Sequence, residues 1–107
     1  MDRLKWDKAF ALEQAADDTE LLEELLTIFK QSCTSDYHSI KEGLTSGDAE
    51  KICAAAHSIK GAAASLGIVA IRDLAAEIET DSRKGSTVSA QERIEELSQY
   101  MQLLQKM

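Results

Sequence analysis

Ala56-His57-Ser58-Ile59-Lys60-Gly61-Ala62-Ala63-Ala64-Ser65-Leu66-Gly67 stands at the centre of the chain, flanked on both sides by amphipathic segments. Read as a helix at roughly 100° per residue, residues 48–66 divide into two faces. Ile52, Ala56, Ile59, Ala63 and Leu66 fall within about a quarter-turn of one another, which makes theirs the core face. His57 lies more than about 100° from that face, so its ring is expected to point outward. Cys53, Lys60, Gly61 and Ala64 share its side, within a turn or two of it. An exposed imidazole with small neighbours and one ammonium within reach is the feature that needs explaining.

Towards the N-terminus, Asp17-Asp18-Thr19-Glu20 is a helix-start signal, with Glu20 three residues after Asp17. Leu22, Leu25, Leu26, Phe29, Cys33, Tyr37, Ile40 and Leu44 then recur every three or four residues. They predict a helix of about seven turns over residues 18–45, ending between Gly43 and Gly47. Its glutamates cluster at the positive end of the helix dipole, and Lys41 lies near the negative end. Gly47-Asp48 closes this helix and caps the histidine helix, residues 48–66, which Gly67 terminates. Ile68, Ile71, Leu74, Ala75 and Ile78 mark a third long helix over 68–84, stopped by Gly85. Ser89-Ala90-Gln91-Glu92 reads as a capping box for a fourth over 89–106, with Ile94, Leu97, Met101 and Leu104 as its stripe. Residues 1–16, with Trp6, Phe10, Ala11 and Leu12, are expected to form a short helical lid across the bundle end. The expected fold is all-α: a single domain, 1–107, built as an up-down antiparallel four-helix bundle with a short extra N-terminal helix.

Composition agrees and narrows the function. The 107 residues contain no proline, which favours uninterrupted helices, and 44% are hydrophobic, enough for a core. A net charge of −7 without a basic patch argues against nucleic acid or an anionic membrane as partner. Residues 1–10 carry charges throughout, so no secretory signal is expected, and Ile68-Val69-Ala70-Ile71 is too short to span a bilayer. Cys33 and Cys53 form no CxxC pair. The histidines, His38 and His57, lie on different helices without ligand spacing, so no metal site is expected. The expectation is a cytoplasmic monomer.

Gly61 carries the chemical signal. Four of the five glycines are placed at turns, but Gly61 sits mid-helix, where glycine costs about 1 kcal/mol relative to alanine. One turn from His57, the missing Cβ leaves room for another surface or a phosphoryl group. Lys60 offers a flexible charge for phosphate oxygens. A solvated imidazole is substantially unprotonated at neutral pH and is a competent nucleophile. Surface histidines are ordinarily inert, as His38 is expected to be; here the neighbours set His57 apart. Cys53 is expected to be a packing residue at the rim.

His57-x-x-Lys60-Gly61 followed by Leu66-Gly67 resembles the signature of histidine-containing phosphotransfer (HPt) domains of multistep phosphorelays in two-component signalling. The resemblance extends to Leu25, Leu26 and Phe29, to Gly47-Asp48, and to Leu74, Glu77 and Arg83. It implies that His57 accepts a phosphoryl group from a receiver-domain aspartate and relays it to another receiver. Lys60 would help neutralise the group and Gly61 would give access. The chain would be a phosphocarrier rather than an enzyme, with no cofactor of its own and Mg²⁺ supplied by the receiver. Partners would be response-regulator receiver domains and a hybrid histidine kinase, docking on a shallow apolar patch around His57 with Ala64 and the facing part of the second helix. Two alternatives stand beside it: an HPt-type segment of a larger hybrid or chemotaxis-like kinase, and a receiver-binding module that carries no phosphate.

Overall fold

A computed structural model describes residues 3–107; Met1 and Asp2 of the expected lid lie outside the described residues. Among the described residues the elements are α1 (Lys8–Gln14), α2 (Thr19–Ser46), α3 (Ala49–Ser65), α4 (Val69–Arg83) and α5 (Val88–Gln105). Connections of a few residues reverse the chain after each long helix. α2 packs on α3, α3 on α4, α4 on α5 and α5 back on α2, which closes the bundle. The all-α bundle expected from the hydrophobic periodicity is the observed architecture, with α1 as the short additional helix.

The inward stripes meet in one core. Ile40 of α2, Ile52 and Ile59 of α3, Ile71 and Ile78 of α4, and Leu97 and Leu104 of α5 are almost completely buried. Each such side chain contributes about 1.5–3 kcal/mol by leaving water, which is what holds together helices that would be marginal alone. Cys33 belongs to this core, and burial pushes its thiol up to about 12.

Three local expectations need correction. Asp18, not Asp17, is the N-cap of α2, its carboxylate accepting from the Glu20 and Leu21 amides at 3.0 and 3.2 Å. Gly43 lies inside the last turn of α2 rather than in the connection; a Cβ there would come within 2.6 Å of Ile52 Cγ1, so its role is to let α3 approach. The Ser89–Glu92 capping box does not form. α5 starts two residues earlier, after Thr87, and the Ser89 amide donates instead to Asp81 Oδ2 at the end of α4, 2.9 Å away. That bond, with Ser86, holds the Asp81 carboxyl below its ordinary value.

The N-terminal segment does more than cover the bundle. Ile68, the N-cap of α4, provides no side-chain acceptor, and the first amides of a helix have no intrahelical partner. The strap before α1 supplies acceptors: Val69 N donates to Lys5 O at 3.4 Å and Ala70 N to Leu4 O at 3.0 Å. Asp7 N returns a bond to Gly67 O at 2.8 Å, and the Trp6 indole donates to Leu66 O at 2.9 Å. Strap and α3–α4 turn therefore close each other.

The turn itself is a Schellman motif. Ile68 N donates to Ala63 O at 3.0 Å and Gly67 N to Ala64 O at 3.3 Å, with Gly67 at φ +69°. A Cβ on Gly67 would also lie 2.8 Å from Asp7 O. Gly67→Ala therefore suffers both a left-handed backbone and a clash with the strap. We expect it to lower stability by about 1–3 kcal/mol in urea unfolding; a loss of a few tenths would mean that the strap yields freely.

Candidate functional site

The site is built on the outward face of α3. Asp48 caps the helix by accepting from Lys51 N at 3.1 Å. With Ile52, Ala56, Ile59 and Ala63 buried, the wheel turns His57 outward, and its side chain is 67% exposed. Gly61, one turn on, has open space where its Cβ would be: nothing lies within 4 Å. His57 and Gly61 thus form a bare, accessible strip. Ala64, two turns from His57, is also exposed.

Beneath this strip lies a residue that the sequence reading did not single out. Glu79 of α4 is only 2% exposed. Its Oε2 is 2.6 Å from His57 Nδ1 and 2.8 Å from Arg83 Nη2, while Oε1 is paired with the Lys60 ammonium. The carboxylate is covered by the side chains that it binds rather than sunk in the core. Burial of an unpaired charge would be costly; three basic groups compensate it here. The hydrogen bond from Lys60 is the largest influence on its acidity, followed by the opposing effect of burial and then by His57. The result holds the Glu79 carboxyl below its ordinary value, hence ionised.

An ionised carboxylate can only accept, so the proton between Glu79 and His57 belongs to Nδ1. The neutral ring is thereby fixed in the tautomer whose Nε2 keeps its lone pair. With Nδ1 turned toward α4 and the ring largely exposed, Nε2 is the nitrogen available to an incoming electrophile. The ring is also held in orientation, which lowers the entropic cost of reaction.

Lys60, expected as a free point charge, is committed to Glu79 in this state. It lies one turn from His57 and shares its anchor, so the two residues are brought together, although through a third group. Glu77, part of the family resemblance, is instead paired with Arg93 of α5. His38 is exposed on α2, its ring against Tyr37 with centroids 5.6 Å apart. Cys53 is half-buried at the rim, its Sγ 3.8 Å from Glu79 O. The described residues contain no His, Cys, Asp and Glu grouping able to hold a metal ion, and no helix long and apolar enough to cross a membrane.

Glu79 had a faint signal in the sequence. It falls at the edge of the stripe made by Leu74, Ala75 and Ile78, where a charge is out of place, and Arg83 follows four residues later.

The depressed acidity has a stability consequence. A carboxyl whose folded pKa lies below its unfolded value stabilises the fold above the unfolded value and loses that contribution as the pH falls through the folded one. For Glu79 the loss begins around the ordinary value of 4.5 and runs to lower pH. Glu79→Gln should therefore be less stable than the parent at neutral pH, and the gap should close on acidification through this range. Urea midpoints measured across pH check this; parallel curves would show that the carboxylate charge contributes nothing.

No curated protein sequence matches the chain. Among solved structures it is similar to the HPt domain of a sensor hybrid histidine kinase from Shewanella, at 21% identity and a TM-score of 0.78, over 98% of this chain and 94% of that one. The model of the Hpt domain family matches residues 24–107, which include α3, α4 and the whole His57–Lys60–Glu79–Arg83 cluster. The chain belongs to the Hpt domain family, the phosphotransfer modules of two-component phosphorelays.

Proposed function

We propose that His57 is the phosphoryl acceptor, that the donor is the aspartyl phosphate of a receiver domain, and that a second receiver takes the group onward. The observation that carries this reading is the exposed imidazole whose Nδ1 is held by the buried Glu79 carboxylate at 2.6 Å. Nε2 attacks phosphorus, the N–P bond forms, and the bond to the receiver's aspartate oxygen breaks. Aspartate leaves as a carboxylate, which Mg²⁺ held by the receiver would steady. No proton has to move: Nδ1 keeps its hydrogen, the phosphorylated ring becomes cationic, and Glu79 faces that new charge directly. The reverse sequence delivers the group to the next aspartate.

The other groups support both directions. Gly61 leaves open the space through which the donor approaches. Lys60 is within one turn of His57, and its ammonium can exchange Glu79 for a phosphoryl oxygen once Glu79 faces a cationic ring. Arg83 retains Glu79 Oε2 meanwhile. The chain acts as a carrier, since the transfer chemistry is divided between a positioned nucleophile here and the metal in the partner. The Shewanella relative is a domain of a hybrid kinase, and the same His57 chemistry serves a domain tethered to a kinase, the second reading.

Mixing the chain with a phosphorylated receiver domain should place acid-labile, base-stable phosphate on the parent protein and none on His57→Gln. Label persisting on the variant would overturn the assignment. Gly61 gives a separate check on access. Gly61→Ala should raise stability by up to about 1 kcal/mol while transfer continues, because the added methyl meets open space. Gly61→Leu should slow transfer by crowding Nε2; undiminished transfer would remove the steric explanation.

A further inference from the structure

The N-terminal arm, residues 3–14, joins the bundle through a strained hinge. Among the described residues, the non-glycine residues with positive φ are Lys5, Ala16 and Asp17, and the last two are adjacent, at +55° and +60°. Asp17 N donates to Leu12 O at 2.7 Å and Ala16 N to Glu13 O at 3.1 Å, so α1 ends in a Schellman motif of the same pattern as α3. Ala16 holds the place that Gly67 holds in the α3–α4 turn. Gly67 takes the left-handed conformation without a side chain; at Ala16, and again at Asp17, a Cβ crowds the following carbonyl. The chain bends where its side chains resist bending.

The hinge residues favour another conformation. Glu13-Gln14-Ala15-Ala16-Asp17-Asp18-Thr19-Glu20 contains no glycine or proline, and alanine is the strongest helix former. A straightened hinge would run α1 into α2 as one helix over residues 8–46, with the α1 end projecting about 17 Å beyond the start of α2. Strain at Ala16 and Asp17 would vanish, while the Asp18 cap on the Glu20 and Leu21 amides would be lost. These two effects are of similar size, which leaves the hinge itself near balance.

Undocking of the arm strips the bundle end. The Val69 and Ala70 amides lose Lys5 O and Leu4 O, Gly67 O loses the Asp7 amide, and Leu66 O loses the Trp6 indole. Leu4, Ala11 and Ile68, all buried in the docked form, lose cover. The receiving surface matches one segment in hydrogen-bond register and in apolar contact, and that segment is the arm. An arm carried on a straight helix cannot fold back onto its own bundle, but a second copy carries an identical arm and an identical receiving surface. Two copies meeting end to end restore these bonds and relieve both hinges in a closed two-fold arrangement. We propose that residues 3–14 are exchanged between two copies of this chain, each strap docking on the other's α3–α4 turn, with Ala16 and Asp17 as the hinge. The structure described above is the closed form, and the exchanged form gains population as protein concentration rises.

Sedimentation equilibrium and NMR on the intact chain test this. The parent should show a dimer fraction that grows with concentration. In a mixture of ¹⁵N-labelled and unlabelled chains, isotope-filtered NOEs should run from the Trp6 indole N–H of one copy to Leu66 of the other. Ala16→Gly relaxes the closed hinge and weakens the straight helix, so the dimer dissociation constant should rise by about tenfold or more. Asp18→Ala removes the cap of the closed form and should lower that constant by about tenfold. A chain that stays monomeric up to NMR concentrations would overturn the exchange, as would a dimer without the Trp6–Leu66 NOEs between copies. Dissociation constants unchanged in both variants would overturn the role of the hinge.

Discussion

Glu79 is the charge around which the exposed face of α3 is arranged. A carboxylate 2% exposed would be a liability on its own, and its three partners come from two helices: His57 and Lys60 from α3, Arg83 from α4. The pairing constrains the rotation of α3 against α4, because a turn of either helix about its axis would separate the partners. It also assigns the imidazole tautomer and aims Nε2 outward. Packing alone would place His57 on the surface; the carboxylate gives the ring an orientation and a proton inventory.

The same two helices are fixed at their junction by backbone chemistry. The Schellman turn satisfies the last carbonyls of α3, and the strap satisfies the first amides of α4. Glu79 and this junction thus act at different points along one helix pair. Between them runs the strip from His57 to Ser65, rigid on its buried side through Ile59 and Ala63 and open on its outer side at Gly61. On the proposed reading, in which His57 is the acceptor, such an arrangement benefits a carrier that meets more than one partner, since each would find the ring already oriented.

Much of this was legible in the sequence for a definite reason. The stripes of α2, α3, α4 and α5 are regular, few residues interrupt them, and the connections carry glycine or aspartate, so 3.6-residue periodicity sufficed for the architecture. The outward direction of His57 followed from the same periodicity. Glu79 did not, because its meaning lies in contacts to another helix 22 residues away in sequence. Periodicity assigns a face but not the depth at which a long side chain's head settles. The capping of α5 failed for a related reason: Ser89 had the right local spacing, but Asp81, from the preceding helix, reached the amide first. Gly43 reads as a turn residue in the sequence because its demand for space comes from Ile52, on a different helix.

Trp6 is the chain's sole tryptophan, and its indole N–H is bonded to Leu66 O at the C-terminal end of the helix that carries His57. The Lys8 ammonium lies 5.8 Å from the centre of its ring. The protein therefore contains a built-in fluorophore at the seam between strap and bundle. Its emission follows the hydration and charge around the junction that anchors α3. Undocking of the N-terminal segment can be watched in the native protein by light alone, separately from any event at the histidine.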